Sequence, residues 1–358
     1  MSWPRERVSA ISSHRPAPGF PRSLLLWGVF FFICLGLGYP TLNRYDPRKL
    51  LPDSASYAKL TTEGPGTVPA PFRFRVLEPY LVRPLYALAQ GHVGSWDPLL
   101  FGFLVVNSLF VASTALLLST VGGMQFDNHS TGLVAAMLYL LNFAIPNAQL
   151  AGLVDAGEGF FLMAVVVSLL FRRWWLLPIL GVFGALAKES FVPFSVTLAG
   201  TWWLFSKSAS EREGANRLGT GLWIAAMAIL ELLTVTILQS SITGQLVWPW
   251  NFAAGLNSHS SHSMTLLVSL VDKDSWYVLI WLLPLGLVRI KQFPRPWVWA
   301  SAAAALLALL LNAYHAVAGA EGNMGRYLFN VAGPLLSLSA ASFLCDVKPR
   351  PAALSQAD

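Results

Sequence analysis

The sequence predicts an all-α fold, a polytopic bundle of about ten transmembrane helices. Charged residues make up 12% of the chain and hydrophobic residues 55%, whereas a soluble domain carries about 25% charged residues. The apolar residues occur in runs close to the roughly 20 residues that a helix needs to cross a bilayer. The 14 Trp and 22 Phe suit aromatic belts at the two membrane interfaces.

Hydrophobic runs separated by polar loops define the candidate spans. Two short runs flank the polar pair Lys188-Glu189, so residues 174–205 are predicted either to cross twice or to enter and leave on one side. The transmembrane domain, 23–345, lies between a basic tail, 1–22, and a polar tail, 346–358. The predicted spans are 23–39, 98–121, 130–146, 157–171, 174–187, 190–205, 218–242, 275–290, 296–316 and 327–345.

Basic residues in the short loops set the expected orientation. With the N-terminus in the cytoplasm, the inner side receives most of the Lys and Arg, whereas the short outer loops receive only Lys188, Lys273 and Arg326. Both termini are therefore predicted to be cytoplasmic. The net charge of +6 does not indicate nucleic-acid binding, because the basic residues lie between hydrophobic runs and not in one patch.

The long outer loop, 40–97, is the one sizeable segment outside the predicted spans. Residues 79–91 are predicted to form a helix along the membrane interface, with Arg83 toward water. Its lipid-facing residues would be Leu81, Leu85 and Leu88. The chain has two cysteines, Cys34 and Cys345, which excludes a disulfide framework and gives no metal-ligand spacing.

Charged residues from four separate pieces of chain fall on the predicted outer side. Charges near membrane depth are costly and are seldom kept without a partner or a function, so their convergence indicates a candidate site. The candidate residues are Asp46, Asp53, Arg73, Arg75, Glu78, Asp155, Lys188, Glu189, Glu321 and Arg326.

These residue types suit sugar transfer from a lipid-phosphate donor. An acceptor hydroxyl needs a carboxylate to take its proton as it attacks the anomeric carbon, and Asp53 and Asp46 come early in the outer loop for that role. The donor phosphate would lie at the interface, where fixed cations must bind it, and a guanidinium can bind two phosphate oxygens at once. The cations available are Arg73, Arg75, Lys188 and Arg326.

Each acidic candidate also has a structural interpretation. Asp53 suits the N-cap of a helix, Asp46 a turn before Pro47, and Asp155 the cap of the fourth span. Glu231 lies in the middle of a predicted span and is expected to pair with a polar neighbour. Candidate neighbours are Asn107, Asn142 and Asn312.

The basic candidates have structural alternatives as well. Arg73 and Arg75 could bind ordinary lipid headgroups or pair with Glu78. Lys188 and Glu189 are expected to neutralise different neighbours, because adjacent helical residues point roughly 100° apart. Arg326 could simply anchor the last span. Two histidines in an outer loop, His259 and His262, are compatible with a metal site, although a solvated loop is the favoured interpretation.

Several short motifs resemble those of GT-C superfamily glycosyltransferases. The stretch Asp53-Ser54-Ala55-Ser56-Tyr57 is similar to the acidic first-loop motif of that superfamily. The stretch 71–79, PFRFRVLEP, looks like the "PFRYRVL-P" segment of bacterial multispanning proteins that are similar to GT-C enzymes. Asp155, the break at 187–190 and the triplet 325–327 are similar in placement. The first loop departs from the pattern in lacking an adjacent Asp-Glu pair.

The resemblance implies a glycosyltransferase of the bacterial inner membrane that uses a polyprenyl-phosphate-linked sugar, with Asp53 as the base. Its partners would be membrane lipids and that lipid-linked sugar, and a divalent metal, Mg²⁺ or Mn²⁺, is a candidate cofactor. Two other functions fit the sequence: a non-catalytic membrane subunit or scaffold of the same layout, and a lipid or small-molecule transporter. Residues for acceptor or metal positioning would be Asp46, Glu78, Asp155, Glu189 and Glu321.

Overall fold

The computed structural model describes residues 20–44, 52–94, 96–206, 211–248, 280–317 and 324–348. Throughout these ranges the regular structure is helical, and no strand occurs in them. The described residues contain twelve α-helices: α1 Phe20–Arg44, α2 Pro52–Glu63, α3 Leu77–Ala89, α4 Pro98–Phe126, α5 His129–Leu140, α6 Asp155–Leu170, α7 Leu177–Ala187, α8 Phe191–Phe205, α9 Glu211–Thr243, α10 Leu282–Arg289, α11 Arg295–Val317 and α12 Met324–Leu344.

Five helices among the described residues are long and apolar enough to cross a bilayer, so the chain is an integral membrane protein. They coincide with five of the predicted spans. Four other predicted spans form the shorter helices α5 to α8, and the span at 275–290 lies partly outside the described residues. The five long apolar segments are Pro21–Leu42, Pro98–Phe126, Leu218–Thr243, Arg295–Tyr314 and Met324–Leu344.

Helices α4 and α12 form the centre of the bundle. Helix α4 packs against α1, α3, α5 and α6, and α12 packs against α5, α6, α10 and α11. Small residues permit a close approach between α4 and α5, where Gly122 lies against Gly132. Helices α1, α9 and α11 expose large apolar side chains, including Leu25, Leu222 and Leu310. Such surfaces suit lipid contact.

Helix α3 confirms that the stretch predicted to form an interfacial helix is helical. Arg83 is exposed, and so are Leu81 and Leu88. Leu85 differs from the prediction because it is half-buried and packs into a small apolar cluster with Val82 and residues of α2 and α4. A helix that rests on the bundle must bury one side, and Leu85 lies at the edge of that side.

Helices α7 and α8 are interrupted at residues 188–190, where the sequence predicted a break. The backbone of Lys188 is extended, with φ −161° and ψ 137°. The amide of Lys188 donates to the carbonyl of Gly184, and the amide of Phe191 donates to the carbonyl of Lys188. The backbone groups at this break are thus partly satisfied within the chain, as membrane depth requires.

Candidate functional site

A cluster of charged side chains occupies the end of the bundle where α2, α3 and the α7–α8 break meet α6 and α12. Six of the sequence candidates are linked there by ion pairs, and Glu78 lies beside them on α3. This polar cluster consists of Asp53, Tyr57, Arg75, Glu78, Asp155, Glu158, Lys188, Glu189, Ser190, Arg326 and Asn330.

Lys188 is the buried cation of the polar cluster. Its Nζ lies 2.7 Å from Asp155 Oδ1 and 3.2 Å from Glu158 Oε2, and 4.7 Å from the centre of the Tyr327 ring. Burial lowers the pKa of Lys188, but the two carboxylates outweigh burial and raise it above its usual value. The ammonium group therefore remains charged, with carboxylate partners on two sides.

Asp155 is not a helix cap. Helix α6 begins at Asp155 itself, and its N-cap position is Val154, which provides no side-chain hydrogen bond. The cap interpretation from sequence is therefore wrong, and the carboxylate binds Lys188 instead. Glu158 lies three residues further along α6, on the same side of the helix, which is how both acids reach one ammonium group.

Glu158 connects the polar cluster to the core of the bundle. It accepts hydrogen bonds from Lys188, from Ser190 Oγ and from Asn330 Nδ2, the last at 2.9 Å. Asn330 in turn accepts from Gln149, which accepts from the Tyr139 hydroxyl at 3.1 Å. Each of these side chains is hydrogen-bonded to the next, and such a satisfied network makes the buried region rigid.

Arg75 binds Glu189 and Tyr57. Its Nε lies 2.8 Å from Glu189 Oε2, its Nη2 also binds that carboxylate, and its Nη1 donates to the Tyr57 hydroxyl at 2.6 Å. Burial raises the pKa of Glu189, but the Arg75 guanidinium outweighs burial and holds the pKa below its usual value. The prediction that Arg75 could pair with Glu78 is therefore wrong, because Arg75 pairs with Glu189.

Glu78 contacts the first turn of α6. Its side chain is fully buried, and its Oε1 accepts a hydrogen bond from the Gly157 amide at 3.1 Å. Burial raises the pKa of Glu78 well above its usual value, which favours the protonated carboxyl group. A side chain at position 157 would overlap this carboxyl group, which explains the glycine.

Arg326 and Asp53 form the accessible side of the polar cluster. Arg326 Nη1 lies 3.7 Å from Asp53 Oδ2 and 3.6 Å from Asp155 Oδ2. The Asp53 side chain is 31% exposed and that of Arg326 16%, against 3% for Asp155. Asp53 is thus the carboxylate in this ion-paired group that a substrate can most easily reach.

Comparison with family models, curated proteins and solved structures found no match for this chain. The geometry of the polar cluster therefore carries the functional argument by itself.

Arg73 does not join the ion pairs found among the described residues. Arg73 is half-buried, its guanidinium lies 4.9 Å from the centre of the Phe74 ring, and its Nε has no hydrogen-bond partner among the described residues. Asp46 and Glu321 lie outside the described residues, as do His259 and His262. Within the described ranges, no group of three His, Cys, Asp or Glu side chains is arranged to hold a metal ion.

Glu231 pairs with a polar neighbour, as predicted from its place in a span. Ser195 Oγ lies 2.8 Å from Glu231 Oε1, so a serine of α8 supplies the contact. Two of the asparagines considered from sequence have backbone partners. Asn107 donates to the carbonyl of Leu153, and Asn142 accepts from the amide of Ala144.

Tyr57, Glu158, Ser190 and Asn330 are the members of the polar cluster that were not among the candidate residues predicted from sequence. Tyr57 follows Asp53 by four residues on α2, and Asn330 follows Arg326 by four on α12. This spacing places each next to a predicted residue on the same helix face. A search for polar residues one turn away from each candidate would have found both.

Proposed function

We propose that this protein is a GT-C-like glycosyltransferase that moves a sugar from a polyprenyl-phosphate donor to an acceptor hydroxyl. The polar cluster would lie on the non-cytoplasmic side of a bacterial inner membrane. The shorter helices would complete a total of about ten crossings, with both termini in the cytoplasm. The motif resemblance and the distribution of basic residues support this arrangement.

One observation carries the proposal. Asp53 is a partly exposed carboxylate next to Arg326, at the edge of a buried ionic network that fixes its surroundings. A general base must be reachable by the hydroxyl it deprotonates. A phosphate leaving group needs a cation that stabilises its charge as its bond to the sugar breaks. Asp53 and Arg326 together supply this pair at one accessible place.

The chemistry is a single displacement. Asp53 takes the proton of the acceptor hydroxyl while that oxygen forms a bond to the anomeric carbon of the sugar. The bond from this carbon to the phosphate oxygen breaks, and its electron pair leaves with the polyprenyl phosphate. Arg326 stabilises the charge on the phosphate. Arg73, whose Nε has no partner among the described residues, is the second candidate phosphate ligand.

The ion pairs refine the roles expected from sequence. Lys188 and Arg75 were candidate phosphate ligands, yet both are buried against carboxylates. In the proposal they hold the site together, and Asp155 and Glu189 serve as their counter-charges. Glu78 would support the same site through the first turn of α6.

The test is donor turnover by the purified protein in nanodiscs. Polyprenyl-phosphate-linked hexoses and pentoses would be supplied with a membrane lipid extract as the acceptor source, and release of polyprenyl phosphate measured. Asp53→Asn should lower turnover by about 10²–10⁴-fold, the usual contribution of a general base. Full activity in Asp53→Asn, or no turnover of any donor by the unaltered protein, would contradict the proposal.

Asp346→Asn is a matched control. Asp346 is also the exposed member of an Arg–Asp ion pair, with Arg289. It follows the C-terminal end of α12, whereas Arg326 lies in the first turn of that helix. This variant removes a comparable interaction outside the polar cluster, so it should retain turnover.

The scaffold alternative has one observation in its favour. Lys188 and Arg75 already have carboxylate partners, which suits a network that only stabilises the bundle. A scaffold would copurify with a partner protein and show no turnover alone. If the chain is a scaffold, the assembly with that partner should keep its turnover when Asp53 is changed to Asn. If Asp53 is catalytic, Asp53→Asn should abolish turnover by the same assembly.

A further inference from the structure

We infer that Arg75 is a positioning residue that fastens α2, the helix that carries Asp53, to the α7–α8 break. This inference rests on the proposed function, because it assigns Arg75 a role in setting the position of the proposed base. It differs from the sequence expectation, in which Arg75 binds the donor phosphate directly.

The partners of Arg75 occupy its guanidinium group. Nε and Nη2 bind Glu189 together, and Nη1 binds the Tyr57 hydroxyl. The group also lies 5.4 Å from the centre of the Phe72 ring. Each of the three nitrogens therefore already has an oxygen partner inside the protein. A phosphate could use these three N–H groups only by displacing Glu189 or Tyr57, and displacing Glu189 would leave that partly buried carboxylate without its cation.

Tyr57 transmits this contact to the proposed base. It lies four residues after Asp53 on α2, so the two side chains share a helix face. The Tyr57 side chain is buried, and its ring packs edge-on against Phe72 at 5.7 Å between ring centres. Loss of the hydroxyl would remove the link to Arg75 and leave the ring in place.

A second contact attaches the segment between α2 and α3 to the α7–α8 break. The amide of Val76, the residue after Arg75, donates to the carbonyl of Leu186 at the end of α7 at 3.1 Å. Arg75 reaches the other side of the break through Glu189. The segment that follows α2 is thus attached to both sides of the interruption.

These contacts close into a ring that includes the base. From Asp53 the ring runs along α2 to Tyr57, through Arg75 to Glu189, and along the chain to Lys188. It continues through Asp155 and Arg326 back to Asp53. If the ring is opened at Arg75, Asp53 keeps its contact with Arg326 and α2 keeps the hydrogen bond from Ser54 Oγ to the carbonyl of Ala151, but α2 loses its link to the α7–α8 break.

The discriminating variants are those that leave Arg75 in place. Tyr57→Phe removes one oxygen, and Glu189→Gln removes the counter-charge. If Arg75 positions Asp53, both variants should lower kcat for donor turnover by about 10-fold to 100-fold, since small misplacements have effects of this size. The KM for the polyprenyl-phosphate sugar should change little. A phosphate ligand would behave differently, because Glu189→Gln would free Arg75 and lower KM.

Arg75→Lys extends the comparison. Lysine keeps the charge but lacks the planar guanidinium that binds Glu189 through two nitrogens and Tyr57 through the third. A positioning role therefore predicts that Arg75→Lys loses kcat like Tyr57→Phe, with KM retained. Tyr80→Phe is the matched control, since Tyr80 is an exposed tyrosine of α3 that faces Arg83 through its ring. It should leave both constants unchanged.

Hydrogen–deuterium exchange of residues 52–63 in the full chain, without substrate, tests the fastening independently of turnover. Faster exchange in Tyr57→Phe and Arg75→Lys, with Tyr80→Phe unchanged, supports the inference. Unchanged exchange in Tyr57→Phe overturns it, and so does a lowered affinity for the donor with kcat retained. If the unaltered protein turns over no donor, the proposed function fails, and exchange alone then decides whether Arg75 fastens α2.

Discussion

Lys188 and Glu189 are adjacent in the chain, yet they form ion pairs on opposite sides of the α7–α8 break. Lys188 reaches Asp155 and Glu158 on α6, whereas Glu189 reaches Arg75 in the segment before α3. The cause is the extended backbone at Lys188, because successive side chains of extended backbone point in opposite directions. The break between α7 and α8 thereby connects the segment before α3 to helix α6.

The first prediction concerns the buried cation. Lys188→Met should lower the free energy of unfolding by about 3–5 kcal/mol, because it leaves two buried carboxylates without their counter-charge. The measurement is denaturant unfolding of the protein in lipid nanodiscs. Lys59→Met, at an exposed position of α2, should have almost no effect. Equal stability of the two variants would mean that the Lys188 ion pairs do not form.

The second prediction concerns the buried carboxyl group of Glu78. Burial raises its pKa in the folded protein well above 4.5, while the unfolded chain ionises near its ordinary value. Below that value both states are protonated and Glu78 has no influence on the pH dependence. Above it only the unfolded state releases the proton, so stability falls by about 1.4 kcal/mol per pH unit until the folded pKa is reached.

Glu78→Gln should therefore remove this loss. Glutamine keeps an oxygen that can accept from the Gly157 amide but cannot ionise. Its stability relative to the unaltered protein should rise between about pH 5 and pH 7, measured by thermal unfolding in nanodiscs. Glu63→Gln, at an exposed position of α2, is the control and should show no such trend. A relative stability of Glu78→Gln that does not change with pH would refute a protonated Glu78.

The sequence predicted which residues would converge, but not which would pair. Charge, hydropathy and motif order were enough to place Asp53, Arg75, Asp155, Lys188 and Arg326 at one end of the bundle. Their partners depend on tertiary contacts: Arg75 and Glu189 are separated by 114 residues. Those partners decide whether a cation is free to bind a ligand. Because the sequence does not show the partners, Arg75 and Lys188 were expected to bind phosphate.

Local spacing was informative where backbone geometry alone decides the outcome. The expectation that Lys188 and Glu189 have different partners is confirmed, although it assumed helical side-chain directions and the backbone at Lys188 is extended. The half-buried position of Leu85 could not be obtained in this way, because it depends on how α3 rests on the residues of α2 and α4.

The third prediction concerns Gly157, where α6 meets α3. A Cβ atom at this position would lie under 3.0 Å from the carboxyl group of Glu78, whose side chain is fully buried. Gly157→Ala should therefore destabilise the protein by about 1–3 kcal/mol, the usual range for overpacking. Alanine is favoured over glycine within a helix by about 1 kcal/mol, so the clash must outweigh that gain. Gly200→Ala in α8 meets no atom within 4 Å and should be neutral or slightly stabilising.

A double variant separates the clash from any other effect of alanine at position 157. Glu78→Ala removes the carboxyl group that the new methyl group would meet, so the cost of Gly157→Ala should largely disappear when the two changes are combined. Unfolding in nanodiscs of the two single variants and the double variant gives the coupling energy between the positions, which should be about 1 kcal/mol or more in the favourable direction. Additive effects would mean that Gly157 is required for a reason other than its contact with Glu78.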